Sequence, residues 1–229
     1  ANWKQDIGSL EHKPEWFPKI VEDLSIEIAT RINASAAINP INMTSLVLLS
    51  TERHAMDATV LANLMSSFSS MLKSMPYSET MSFAEGSGTD WINYAEEMHS
   101  VDRLKHPMGD IINLTDHNAV SLTYNRNTIL HFFAVPSLIA CLLHNNISIE
   151  KPKLHAIFRD IYPYIKSELF LQWGSDEIDD IFEGWLTVLF ENNLLTQEGD
   201  TIVRPVIGSD QFIQLSILSR FIIQTLERY

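Results

Sequence analysis

The sequence predicts a mainly α fold: a helical domain with two short β-hairpins, built as two winged-helix-like units of order helix, helix, hairpin, helix around a central apolar helix. Three observations predict it. Apolar residues recur every three or four positions over most of the chain, and short β-prone runs are broken by clusters of turn residues. One stretch, from about Thr128 to Asn145, is dense enough in apolar side chains to lie in the middle of the molecule. With 229 residues, 45% hydrophobic and 20% charged, the chain is long enough to bury such a core.

Residues 1–18 carry Trp3, Pro14, Trp16, Phe17 and Pro18 among charges and keep no regular period, so they read as an extended linker or strap. From Lys19 onward Ile20, Leu24, Ile28, Ile32 and Ala36 recur every four residues, the pattern of a helix packed on one side. Asn39 and Pro40 punctuate it, and a second helix covers Ile41 to Ser50. Asp57 is placed to cap a third, in which Val60, Leu61, Leu64, Met65, Phe68, Met71, Leu72 and Met75 hold helical spacing until Pro76. A loop with Gly86, Ser87 and Gly88 follows, and Thr89 or Asp90 caps a helix expected to run to about Lys105.

The period then changes. Asp110 to Leu114 and Ala119 to Tyr124 are β-prone and separated by Thr115, Asp116, His117 and Asn118, which predicts a hairpin within a first unit of residues 19–146. In the second unit, residues 147–229, Ser148 is expected to cap a helix toward Leu171, and Ser175 with Asp176 and Glu177 to begin another. Leu194 to Thr196 pairs with Thr201 to Arg204 across Gln197, Glu198, Gly199 and Asp200. A last amphipathic helix holds Phe212, Leu215, Ile217, Leu218, Phe221, Ile222 and Leu226.

Charge narrows the function classes. With 16 basic and 29 acidic residues the net charge is -13, which repels phosphate backbones and anionic lipid headgroups. The helices that would read DNA in a winged-helix unit carry Tyr94, Glu96, Glu97 and Asp102, or Asp176, Glu177, Asp179, Asp180, Glu183 and Glu191, where groove readers need Arg, Lys, Asn or Gln. No nucleic acid is expected as a partner. The single cysteine, Cys141, forms no internal disulfide and sits between Ala140 and Leu142, which points to a reducing setting. The longest apolar stretch, Ile129 to Leu143, is interrupted by His131, Pro136 and Ser137 and falls short of the roughly 20 residues a bilayer requires. A soluble piece is expected, and the opening at Ala1, without a basic start and apolar run, reads as an excised one.

His155 and Asp160 have the His-x-x-x-x-Asp spacing in which a histidine base is oriented by a carboxylate. Both fall inside a predicted helix, where five residues turn the chain so far that the side chains sit roughly 140° apart, too far to hydrogen-bond. His54 and Asp57 read as a turn and a helix cap, and the acidic cluster from Asp176 to Asp180 as residues favoured by a helix N-terminus. No catalytic residue, metal site or cofactor is expected. The most unusual polar string is Tyr124, Asn125, Arg126 and Asn127 with His131 one turn on, where the expected hairpin meets the apolar helix. Either it pins that junction, or it is a domain interface touching another domain or an anionic group.

That string, followed by Val135-Pro136-Ser137-Leu138-Ile139-Ala140, is similar to the C-terminal region of bacterial membrane-associated glycerol-3-phosphate 1-O-acyltransferases. Thr30-Arg31-Ile32-Asn33, Asn39-Pro40-Ile41-Asn42, Gly109-Asp110-Ile111-Ile112, Tyr162-Pro163 and Ser167-Glu168-Leu169-Phe170-Leu171-Gln172-Trp173 resemble it in the same order. The resemblance implies a parent enzyme at the cytoplasmic face of the bacterial inner membrane. Its reaction would be to esterify the 1-position of sn-glycerol 3-phosphate from acyl-CoA or acyl-carrier protein, for phospholipid synthesis. It also implies that the family's catalytic motif precedes this region, in an upstream acyltransferase domain, and that His155 with Asp160 is not its counterpart. The chain alone is then expected to be inactive and to support that domain, or else to act as an independent module that recruits a protein or the membrane.

Overall fold

The computed structural model describes residues 14–114 and 119–227. Helix α1 (Phe17–Ala34) is followed by a short strand β1 (Ala37–Ile38) and helix α2 (Pro40–Leu49). Asn39 caps α2 by a reciprocal pair of bonds: Asn42 N donates to its side chain at 3.0 Å, while Asn39 N donates to the Asn42 side chain at 2.9 Å. Pro40 adds a preset φ at the first helical position. Every residue from Asn42 to Leu48 is buried, so α2 needs neighbours on all sides.

Those neighbours come next: β2 (Ala55–Asp57), α3 (Ala58–Ser74), β3 (Ser82–Phe83), α4 (Gly88–Glu97), β4 (Asp102–Leu104), β5 (Ile111–Asn113) and α5 (Ala119–Asn127). A 3₁₀ turn, Leu130–Phe133, leads into α6 (Ala134–His144), which is also buried over most of its length. The chain continues through β6 (Ser148–Glu150), α7 (Lys151–Leu169), α8 (Ile178–Glu191), β7 (Thr196–Glu198), β8 (Thr201–Val203), α9 (Asp210–Arg220) and α10 (Ile223–Leu226).

The fold is mainly α, and one arrangement occurs twice. From α2 to α5 and again from α6 to α9, the order is helix, strand, helix, helix, strand, strand, helix, apart from the added strand β3. In both runs the three strands are antiparallel with the last one in the middle: β2-β5-β4 and β6-β8-β7. The final helix of each run packs on the first, α5 on α2 and α9 on α6, and α6 also touches α7 and α8. β1 and β3 form a separate parallel pair, Ala37 opposite Ser82.

Several expectations hold. Asp57 caps α3, its carboxylate accepting from Thr59 N at 2.8 Å and Val60 N at 3.0 Å, and α3 ends before Pro76. The second hairpin pairs Thr196 with Val203 and Glu198 with Thr201, so its turn is tightened to Gly199 and Asp200, with Gly199 at φ +61°.

The first hairpin is corrected. Ile111–Asn113 pairs with Asp102–Leu104 and Ala55–Asp57, whereas Ala119–Asn127 is helix α5. The expected turn at Thr115 to Asn118 lies outside the described residues. Packing on α2 prevails over the β-prone composition of Ala119 to Tyr124. Helix α4 starts from the Ser87 cap and ends at Glu97 instead of running to Lys105, because residues 102–104 join the sheet. Arg103 fastens that strand to its surroundings, with Nε on Glu96 at 2.8 Å and Nη2 on Asn93 Oδ1 at 2.9 Å. Ser148 opens a strand, not a helix, and Lys151 begins α7. The expected helix from Thr128 to Asn145 breaks into the 3₁₀ turn and α6, and the last helix breaks after Arg220.

Gly88 marks the closest approach of α4 to α3: a Cβ there would stand 2.1 Å from the Ala62 carbonyl oxygen. Gly88→Ala should therefore cost about 1–3 kcal/mol, seen as a lower denaturation midpoint with an unchanged slope. An unchanged midpoint would show that the two helices do not meet there.

Candidate domain interface

Helix α1 is exposed along its length and is fixed to the molecule at its C-terminal turn, where no residue of α1 itself is fully buried. The Asn33 side chain donates to Leu169 O at 2.7 Å and Phe170 O at 3.2 Å, and Thr30 Oγ1 reaches Phe170 O at 3.4 Å. Phe170, in the left-handed region at φ +51°, ends α7 and turns its carbonyl toward α1. On the other side, Ala34 O accepts from the hydroxyls of Ser78 and Thr80. One helical turn is thus held by both the segment after α3 and the end of α7.

His131 closes this knot from below. Only 3% exposed, its Nε2 lies 3.0 Å from Asn33 O, which fixes the proton on Nε2, since only an N–H can face a carbonyl oxygen. Tyr77 stands edge-on to its ring at 5.1 Å and also meets Phe132 and Trp173. The Tyr77 hydroxyl accepts from Gln172 N at 3.0 Å, while the Gln172 amide donates back to Tyr77 O. Burial pushes the Tyr77 phenol up to about 12 and the His131 imidazole down to about 4.

The rest of the polar string lies elsewhere, at the end of α5 and not on a hairpin strand. Tyr124 is exposed, the Asn125 side chain donates to Ser121 O at 3.1 Å, and Arg126 Nη1 donates to Gln224 Oε1 of α10 at 2.8 Å. Nε and Nη2 of Arg126 share Asn127 Oδ1 at 3.1 and 3.0 Å. Desolvation lowers the Arg126 pKa. Arg126 lines a cleft of about 460 Å³ with Arg220, His144, Glu52 and Gln224, in which Arg220 meets Glu52 at 3.1 Å. Arg126, His144 and Arg220 each belong to the last turn of a helix, where a positive charge suits the dipole. His131 and Arg126 therefore act at two places. Asn33, Tyr77 and Gln172, which complete the first, escaped the sequence reading, although Asn33 and Gln172 both fall in blocks that carry the family resemblance.

His155 is not paired with Asp160. Its Nε2 lies 2.9 Å from Asp179 Oδ1 on α8, and Arg159 Nη1 holds the other oxygen of that carboxylate at 3.0 Å. These are half-exposed pairs, worth up to about 1 kcal/mol each. His54 sits in the left-handed region at φ +50° in the turn before Asp57. In the acidic cluster, Asp179 and Asp180 occupy the first turn of α8 and Glu177 accepts from Gly174 N at 3.0 Å. Among the described residues no three His, Cys, Asp or Glu side chains are grouped to hold a metal ion. No single described helix is long and apolar enough to cross a membrane.

The buried His131 gives the knot a pH dependence of definite sign. Its folded pKa of about 4 lies below the ordinary 6.5, so between these values the unfolded chain takes up a proton that the folded chain refuses. The contribution is complete above pH 6.5 and is lost as pH falls toward 4, by about 3 kcal/mol. His131→Phe should lack this component: its unfolding free energy should drop by about 3 kcal/mol less than that of the parent chain between pH 7.5 and 4. Equal drops would mean that His131 is not buried neutral.

The model of the glycerol-3-phosphate acyltransferase C-terminal region matches residues 1–229. A glycerol-3-phosphate acyltransferase of Pseudomonas aeruginosa (strain LESB58) is 39% identical over 229 residues, all of this chain and 27% of the relative. Acyltransferases of the same name from Pseudomonas putida (strain W619) and Ectopseudomonas mendocina (strain ymp) are each 35% identical over 227 residues, 99% of this chain and again 27% of theirs. The chain spans about a quarter of the length of these relatives and matches their C-terminal part. It belongs to the family of glycerol-3-phosphate acyltransferase C-terminal regions.

Proposed function

We propose that this region serves a glycerol-3-phosphate 1-O-acyltransferase without performing the acyl transfer. An upstream domain of the same polypeptide would esterify sn-glycerol 3-phosphate from acyl-CoA or acyl-carrier protein at the cytoplasmic face of the inner membrane. The observation that carries this reading is the engagement of His155. The only His-x-x-x-x-Asp spacing in the chain does not bring a base and its orienter together, because His155 is bound to Asp179, while Asp160 is exposed on the same helix.

Two units of similar plan support the upstream domain in this reading, the first over residues 19–146 and the second over 147–229, with α6 entering from the first and packing among the helices of the second. Their outward helices argue for a protein neighbour and against a phosphate backbone: Tyr94 and Glu97 on α4 are exposed, as are Asp180, Glu183 and Glu191 on α8. Tyr124 to Asn127 offer a polar patch to the neighbour, and His131 contributes from within by holding α1.

Residues 1–229 alone should show no acylation of glycerol 3-phosphate, and Asp160→Asn in the full-length acyltransferase should retain activity within about twofold, where loss of a catalytic base pair costs about 10²–10⁴-fold. Acylation by residues 1–229, or a loss of that size in the variant, contradicts the reading.

A further inference from the structure

The amphipathic pattern of α1 is inverted. At roughly 100° per residue, Ile20, Leu24, Ile28 and Ile32 centre on a line roughly 170° around the helix from Thr30 and Asn33, the side chains that bind the body of the protein. The stripe therefore faces away from that body, with Ile20 53%, Leu24 56%, Ile28 50% and Ile32 65% exposed, and Phe17 and Val21 extend it. The face turned inward carries Glu22 and Ser25 beside Ile26. On a helix of an ordinary soluble domain the apolar stripe is the buried one. A contiguous exposed row of large aliphatic side chains marks an interaction surface.

We propose that this stripe is the docking surface for the polypeptide that precedes α1 in the full-length acyltransferase, engaged within the same chain through an apolar surface of that upstream part. The inference rests on the reading of this chain as the C-terminal part of a longer enzyme. Two facts select this occupant. The relatives carry nearly three quarters of their length outside the matched C-terminal part, on the N-terminal side, and α1 is the described helix nearest along the chain to that preceding polypeptide. The rim of the stripe makes no demand for a charged partner, because Arg31 and Glu27 satisfy each other at 2.6 Å. An 18-residue helix gains most of its stability from packing one face, and α1 buries no residue against the rest of the described chain. The knot at Asn33 and Ala34 holds the stripe in one direction, ready for a rigid partner.

The test is site-specific alkylation at Ile28→Cys by a maleimide, read by mass spectrometry in the full-length acyltransferase and in residues 1–229, with exposed Val206→Cys as the reference. Position 28 should react at least tenfold more slowly in the full-length protein, while position 206 reacts equally in both. Equal rates at position 28 overturn the proposal. So does protection already present in residues 1–229, whether it rises with concentration, as a second copy would cause, or does not, as residues 1–13 would cause. Protection that needs added phosphatidylethanolamine and phosphatidylglycerol vesicles overturns it in favour of a lipid surface. Leu24→Glu with Ile28→Glu gives a second readout: acylation by the full-length protein should fall at least tenfold, with the unfolding midpoint of residues 1–229 unchanged. Activity retained within twofold also overturns it. Acylation by residues 1–229 alone would instead remove the underlying reading and leave the labelling result standing.

Discussion

Two helices that are buried on every side impose the plan of this molecule. The whole of Asn42 to Leu48 in α2 and of Ala134 to Ala140 in α6 is buried, so neither helix can lie on a surface. Each must be enclosed, and each is enclosed in the same way, by a terminal helix lying along it and by the helix pair and small sheet that intervene. Within α2, Ser45 and Asn42 bond locally, Ser45 to Ile41 O at 2.6 Å and the Asn42 side chain to Ala37 O at 2.8 Å. Three-residue strands suffice because they serve to close each bundle, with Ile112 and Ile202 buried in their central strands.

Helix α1 departs from that economy. It is joined to the rest by backbone carbonyls and small polar side chains at one end, while its aliphatic row looks outward. Polar attachment with apolar exposure is the reverse of what folding alone selects, since burying each such side chain would stabilise by about 1.5–3 kcal/mol. The arrangement makes sense when the helix belongs to two bodies at once, fixed in direction by one and covered by the other. His131 couples the core to α1, because its neutral imidazole is both a core side chain beside Tyr77 and the donor to Asn33 O.

Much of this was legible in the sequence because the signals are local. The four-residue recurrence from Ile20 to Ile32, the Asn39-Pro40 stop, the Asp57 cap and the Gly199-Asp200 turn each act within one element. What was illegible depends on partners far along the chain. Ala55–Asp57 is a strand only because Ile111–Asn113 lies beside it, and three residues are too few to display a period of two. Asp102-Arg103-Leu104 has no apolar alternation and is held by Arg103 contacts to Asn93 and Glu96. Conversely Ala119 to Tyr124 has strand composition but lies along α2 as a helix. Periodicity also says which face of a helix is apolar and not which way that face turns, so the outward direction of the α1 stripe could be seen only once Asn33 and Thr30 were placed. The string from Tyr124 to His131 was read as one polar feature, yet its members divide between two places, and His131 meets Asn33 and Tyr77, which lie far from it along the chain.

In the proposed reading this acidic, mainly helical region holds a neighbour and performs no reaction of its own. Its most direct test is amide hydrogen exchange over residues 17–28, compared between the full-length acyltransferase and residues 1–229. The account predicts fast exchange of this segment in residues 1–229 and protection approaching that of α7 in the full-length protein. Exchange equally fast in both would contradict it.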